Sequence, residues 1–151
     1  MKSHKLRDAV FRFDLNEIAQ LLGSGCGIDE IDEDGRTALM HTAIDGQSEI
    51  SNFLIAKGAK VNVQDGQGWT ALHFAIQNGH NEIAFDLLDN GALANLRDVH
   101  GNSPLFRAVF ARADQTLISK LVKAGADPDA ENLHGVSPRK LMKTMGITVS
   151  F

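Results

Sequence analysis

The stretch GWTALHFAI, residues 68–76, decides how the chain is read. Thr70 precedes an apolar run in which Leu72, Ala75 and Ile76 recur at helical spacing, so it can N-cap a helix with one buried face. Asn78-Gly79 stops that helix by supplying a left-handed residue. A second helix is expected next, with Ile83, Leu87 and Leu88 on one face and Gly91 at its end. Asn95 to Gly101 then reads as a hairpin-like turn projecting sideways. The stretch recurs as GRTALMHTA (35–43), GNSPLFRAV (101–109) and GVSPRKLMK (135–143), which spaces Thr37, Thr70, Ser103 and Ser137 by 33, 33 and 34 residues. Between them runs a second series, LLGSGCGID (21–29), LIAKGAKVN (54–62), LLDNGALAN (87–95) and LVKAGADPD (121–129), with Gly25, Gly58, Gly91 and Gly125 in the same register. A fixed period of this length denotes units that cannot bury their apolar faces alone and must stack.

The tetrapeptides Thr37–Met40, Thr70–His73 and Ser103–Phe106 have a TPLH-like pattern. Ahead of them stand D-x-x-G turns at Asp32/Gly35, Asp65/Gly68 and Asp98/Gly101, with Asn132/Gly135 as a variant. On these residues, from about Leu6 to Leu141, the chain resembles the ankyrin-repeat family. The resemblance implies an all-α solenoid of stacked antiparallel helix pairs with projecting β-hairpin-like loops. Residues 1–151 would form one domain, with repeats at roughly 4–35, 36–68, 69–101 and 102–135 and a partial cap at 136–151. It also implies that the His73 ring hydrogen-bonds the adjacent turn, and that His80 takes the preferred place after the helix-stop glycine.

The ends and one junction depart from the pattern. The first unit lacks the tetrapeptide and is rich in charge, as suits a capping repeat, and the chain closes on β-branched Ile147, Thr148 and Val149. Arg112 replaces the inter-helix glycine of the fourth unit and Gly125 arrives one residue late, so a longer loop is expected around 111–115. That loop is either a tolerated insertion or a local partner contact.

Composition narrows the function. A length of 151 residues suits one compact domain, and the net charge of −4 offers no counterion-release affinity for nucleic acid. No apolar run approaches the ~20 residues that span a bilayer, and the N-terminal stretch lacks the apolar core of a secretory signal. The single cysteine, Cys26, cannot form an intramolecular disulfide, which fits a reducing, cytoplasmic setting. Cys26 aligns with Ala59, Ala92 and Ala126 and is expected to be a buried thiol. No Walker A sequence, G-x-S-x-G elbow or C-x-x-C pair occurs. Gly23–Gly27 resembles a phosphate loop only in composition, since it follows a helix. Of the six histidines, neither His73 nor His80 has an H-E-x-x-H or cysteine partner. The expectation is a non-enzymatic chain without cofactor or metal, monomeric when unbound, whose partner is another protein.

The family resemblance places partners on the hairpin tips and the exposed side of the first helices. Here the candidate contact residues are Glu30, Glu33, Asp34, Arg36, Gln67, Trp69, Val99 and His100 in the tips, with Phe11, Ile44 and Phe110 along the helices. Trp69, the only tryptophan, is either a binding anchor or a side chain folded back over Leu72 or Val99. Phe11, Ile44 and Phe110 either pack between adjacent helices or form an exposed patch. Residues 1–35 hold four basic and eight acidic residues, the whole of the net charge, with five acids between Asp29 and Asp34. That run is either a solvated finger or a device that steers a basic partner. The expected function is a protein-binding module, concretely an inhibitor or immunity protein that covers a basic toxin or enzyme. The units GNSPLFRAVF and HGVSPRKL are similar in style to those of small bacterial ankyrin proteins encoded beside toxins. An adaptor bridging two proteins is the alternative.

Overall fold

The computed structural model describes residues 4–149, which form helices only. The first helix of each unit is α1 (Lys5–Phe11), α3 (Ala38–Asp45), α5 (Ala71–Gln77), α7 (Pro104–Phe110) and α9 (Pro138–Met145). The second helices are α2 (Leu15–Gly23), α4 (Ser48–Ala56), α6 (Asn81–Asp89) and α8 (Gln115–Lys123). Among the described residues these make four antiparallel pairs followed by α9. Thr37, Thr70, Ser103 and Ser137 each accept a hydrogen bond from the backbone N–H three residues on, which fixes where the first helices start. Pro104 and Pro138 occupy the first turn, where a missing N–H costs nothing.

Each first helix packs on the next along the stack, α1 on α3 through to α7 on α9, and second helices pack likewise from α4 to α8. The first helices contact one another more extensively than the second helices do, and theirs is the side that the family resemblance makes concave. The core runs between the layers through Leu39, Leu54, Leu72, Ile76, Ile83, Leu87, Leu105, Leu117 and Leu121, all fully buried. Each such side chain contributes about 1.5–3 kcal/mol on leaving water.

The turns between units, here called fingers, repeat one design. Asp32, Asp65, Asp98 and Asn132 each accept, through Oδ1, the N–H groups two and four residues on. Adjacent fingers are joined by Gly66 N–H to Asp34 O, Val99 N–H to Gln67 O and Leu133 N–H to His100 O, each at 3.0 Å. Gly68 is required there: its φ is +77° and a Cβ would stand 2.9 Å from Asp98 Cα. A second ladder crosses the opposite loops, where Asn62 and Asn95 each bridge backbone groups of the following unit.

The loop expected at 111–115 is present as residues 111–114, against two residues after α3 and three after α1 and α5. Arg112 adopts φ +53° in place of the glycine, at a cost of about 1 kcal/mol, and Asp114 N-caps α8. Phe13 does the same in the first unit at φ +57°, followed by the N-cap Asp14. His80 Nε2 meets Ile44 O at 3.2 Å, and its ring sits where a Cβ on Gly46 would be. Cys26 corrects the sequence reading: it is half-buried, whereas Ala59, Ala92 and Ala126 are buried. Burial, with Glu30 nearby, still pushes that thiol up from its ordinary range.

Candidate functional site

The concave side gathers its polar and aromatic groups around the second and third fingers. Trp69 leaves the second finger and is partly buried. Its ring lies 5.0 Å from Phe74 and 6.0 Å from His73, centroid to centroid. The Arg107 guanidinium stacks on its face at 4.5 Å, and the Arg36 guanidinium stands 5.1 Å from the Phe74 ring. A continuous row therefore runs Arg36, Phe74, Trp69, Arg107, two aromatic rings held between two cations. Both cations are anchored from beneath by finger aspartates. Arg36 Nε donates to Asp65 Oδ2 at 3.3 Å, and Arg107 Nη2 donates to Asp98 Oδ2. With Gln67 and His100 at the rim, the row lines a groove of about 350 Å³.

Electrostatics fix the protonation of this region. Burial works against ionisation of Asp98, but the Arg107 guanidinium and the N–H groups of Asn102 and His100 outweigh it and hold the carboxyl below its ordinary range. His73 lies beneath the row, fully buried. Its Nδ1 accepts from Thr70 N–H at 3.2 Å while Nε2 faces Asn102 O at 3.4 Å, as the resemblance implied. Burial lowers its pKa to about 4, so the ring is neutral at pH 7.

Trp69 packs against the core, with Phe74 and Arg107 among its neighbours. Arg36, Gln67 and His100 join it around the groove. Val99 is exposed at the third finger's tip. Phe110 and Phe11 are 57% and 48% exposed at the far ends of α7 and α1, so both remain available, while Ile44 is half-buried. Phe11 also packs edge-on against His41 at 4.9 Å. These apolar groups stand at the helix ends away from the fingers and do not enter the groove.

The acidic finger is more self-contained than its sequence suggests. Glu33 meets His4 at 3.0 Å and Arg7 at 3.2 Å, Asp34 lies 3.6 Å from Arg36, and Glu30 accepts from Gly27 N–H. His41 Nε2 meets Asp32 Oδ2 at 2.7 Å. Burial opposes ionisation of Asp32, yet the N–H groups of Arg36 and Asp34 and the His41 ring draw its carboxyl below the usual range. The exposed pairs among these are worth little individually.

Phe74 and Arg107 were missed in the sequence. Both lie four residues after their N-cap, in the column that also holds His41, and three residues before Gln77 and Phe110. Helical spacing puts these columns on one face, and that was the available signal. Among the described residues no group of three or more His, Cys, Asp or Glu could hold a metal ion, and no helix is long and apolar enough to cross a membrane.

A family model described as "Ankyrin repeats (3 copies)" matches residues 6–98 and again 52–132, together most of the chain. The chain belongs to the ankyrin-repeat family. Ankyrin repeats mark a protein–protein interaction module, and proteins of this kind are typically non-enzymatic. A comparison with curated proteins found no match.

Proposed function

We propose that this ankyrin stack binds one partner protein along its concave side and acts by covering that partner, as an inhibitor or immunity protein covers a toxin or enzyme. The observation that carries the reading is the preformed groove of Trp69, Phe74, Arg36 and Arg107, whose side chains are held by buried aspartates. Rigid, prepaid geometry of this kind lowers the ordering cost of association. Trp69 and Phe110 serve as apolar anchors, Phe11 and Ile44 extend the contact toward the first unit, and Gln67, Val99 and His100 meet the partner from the tips. Exposed Glu30, Glu33 and Asp34 face a basic region of the partner at the N-terminal end. The blocker works as a cytoplasmic monomer, a setting that suits a chain with one cysteine.

The test is to capture the partner from the native cells, identify it by mass spectrometry, and assay its activity with and without the purified chain. Stoichiometric loss of activity supports the blocking role. An active partner within the complex, or a second protein bound at the same time, favours an adaptor instead.

A further inference from the structure

Among the charged groups of the concave groove the hydrogen-bonding capacity is one-sided. The carboxylate oxygens are taken: Asp65 Oδ1 by Gln67 and Trp69 N–H, Asp65 Oδ2 by Arg36, Asp98 Oδ1 by His100 and Asn102 N–H, Asp98 Oδ2 by Arg107 and Asn102 Nδ2. The donors are not. Arg107 Nε is buried with no acceptor, and neither Arg107 Nη1, Arg36 Nη2 nor the Gln67 side-chain amide makes a hydrogen bond. An N–H left buried and unpaired costs free energy that an incoming acceptor recovers. The two guanidiniums are balanced by two buried aspartates, so the groove offers directed donors more than surplus charge, which suits a single carboxylate. The Trp69 and Phe74 rings beside them suit the apolar neighbour of that carboxylate.

We infer that the groove receives an acidic side chain, Glu or Asp next to an apolar residue, presented by an exposed segment of the partner protein. The carboxylate accepts from the free Nη1 of Arg107, and a small rotation of that guanidinium on the indole brings Nε–H to it as well; Arg36 Nη2, beyond the two rings, donates to a backbone carbonyl of the same segment. This rests on the reading that the concave side is the partner surface, and it names what the partner places there. A partner surface of both signs follows, basic opposite the first finger and acidic at the groove.

The only tryptophan sits in the groove, so its emission reports on occupancy directly. The probe is a set of synthetic heptapeptide mixtures with Glu, Asp, Gln or Lys fixed at the centre and apolar residues flanking it, titrated into the full chain. Saturable changes in Trp69 emission with the Glu and Asp mixtures, and none with Gln or Lys, are expected. Arg107→Lys keeps the charge but loses the planar fork, and Arg36→Gln removes the second donor. Each should weaken Glu binding by about fivefold or more, while thermal melts confirm that the variants fold. Binding of the Lys mixtures, binding that ignores both substitutions, or no response to any mixture overturns the assignment. If no peptide mixture binds yet Trp69→Ala abolishes capture of the cellular partner, the carboxylate falls and the concave reading stands.

Discussion

The first finger and the next two are built on the same aspartate and diverge at one oxygen. In all three, Oδ1 holds the turn by accepting the same two backbone N–H groups. Oδ2 of Asp32 goes to His41, that of Asp65 to Arg36 and that of Asp98 to Arg107. The first oxygen makes the repeat; the second makes the individual. Around the first finger the choice of His41, with Arg7 and His4 on Glu33, closes the charges on themselves. Around the next two, arginines reach across to aromatic rings and leave donors free.

The largest effect that separates these regions comes from removing the aspartates. Asp98→Ala strands the largely buried Arg107 guanidinium and should cost about 3–5 kcal/mol in urea unfolding. Asp32→Ala removes a hydrogen-bond partner of the His41 ring and strands no guanidinium, and should cost distinctly less, about 1–2 kcal/mol. Equal losses would mean that Oδ1 alone matters and the contrast between fingers is empty.

Acid sharpens the comparison. The folded pKa of His73 is about 4, below its ordinary 6.5, so the unfolded chain binds the extra proton first. Its stabilising share is present above pH 6.5 and is lost as pH falls toward 4, by up to about 3 kcal/mol. His73→Met, which copies Met40 of the preceding unit, should flatten the stability profile across that window. An unchanged slope would place the titration elsewhere. Below it, Asp32 and Asp98, both with lowered pKa, lose their contributions in turn.

Smallest is the steering effect of the first finger. Glu33→Lys with Asp34→Lys should slow association with the partner and reduce its salt dependence, with little change in dissociation. Local pairing of these carboxylates limits the effect to a few-fold. Stopped-flow association at two salt concentrations measures it; unchanged rates would make the run a solvated finger.

The fold was legible because its signals are local. An N-cap hydroxyl, a turn aspartate and a left-handed glycine act within four residues, and each recurs in register. The groove was only half legible. Trp69, Arg36, Gln67 and His100 drew notice as tip residues, but Phe74 and Arg107 lie inside apolar helix stretches, where spacing alone assigns them to the core. Phe74 does sit in the core and lines the groove from there, whereas Arg107 reaches the groove through its contacts with Asp98 and Trp69. The local pairing of the acidic run was hidden for the same reason: the Arg7 and His4 that meet Glu33 lie 26 and 29 residues away. Cys26 was placed in the core on the strength of its alanine equivalents alone, and it is half-buried.

The most direct test of the concave face sets it against the outer layer. Tagged wild type, Trp69→Ala/Phe110→Ala and Phe53→Ala/Phe85→Ala, the last pair on second helices α4 and α6, would be titrated with the purified partner by calorimetry. Affinity should fall about tenfold or more for the concave pair and hold for the outer pair. The reverse pattern, binding lost from the outer pair and kept by Trp69→Ala/Phe110→Ala, would contradict it.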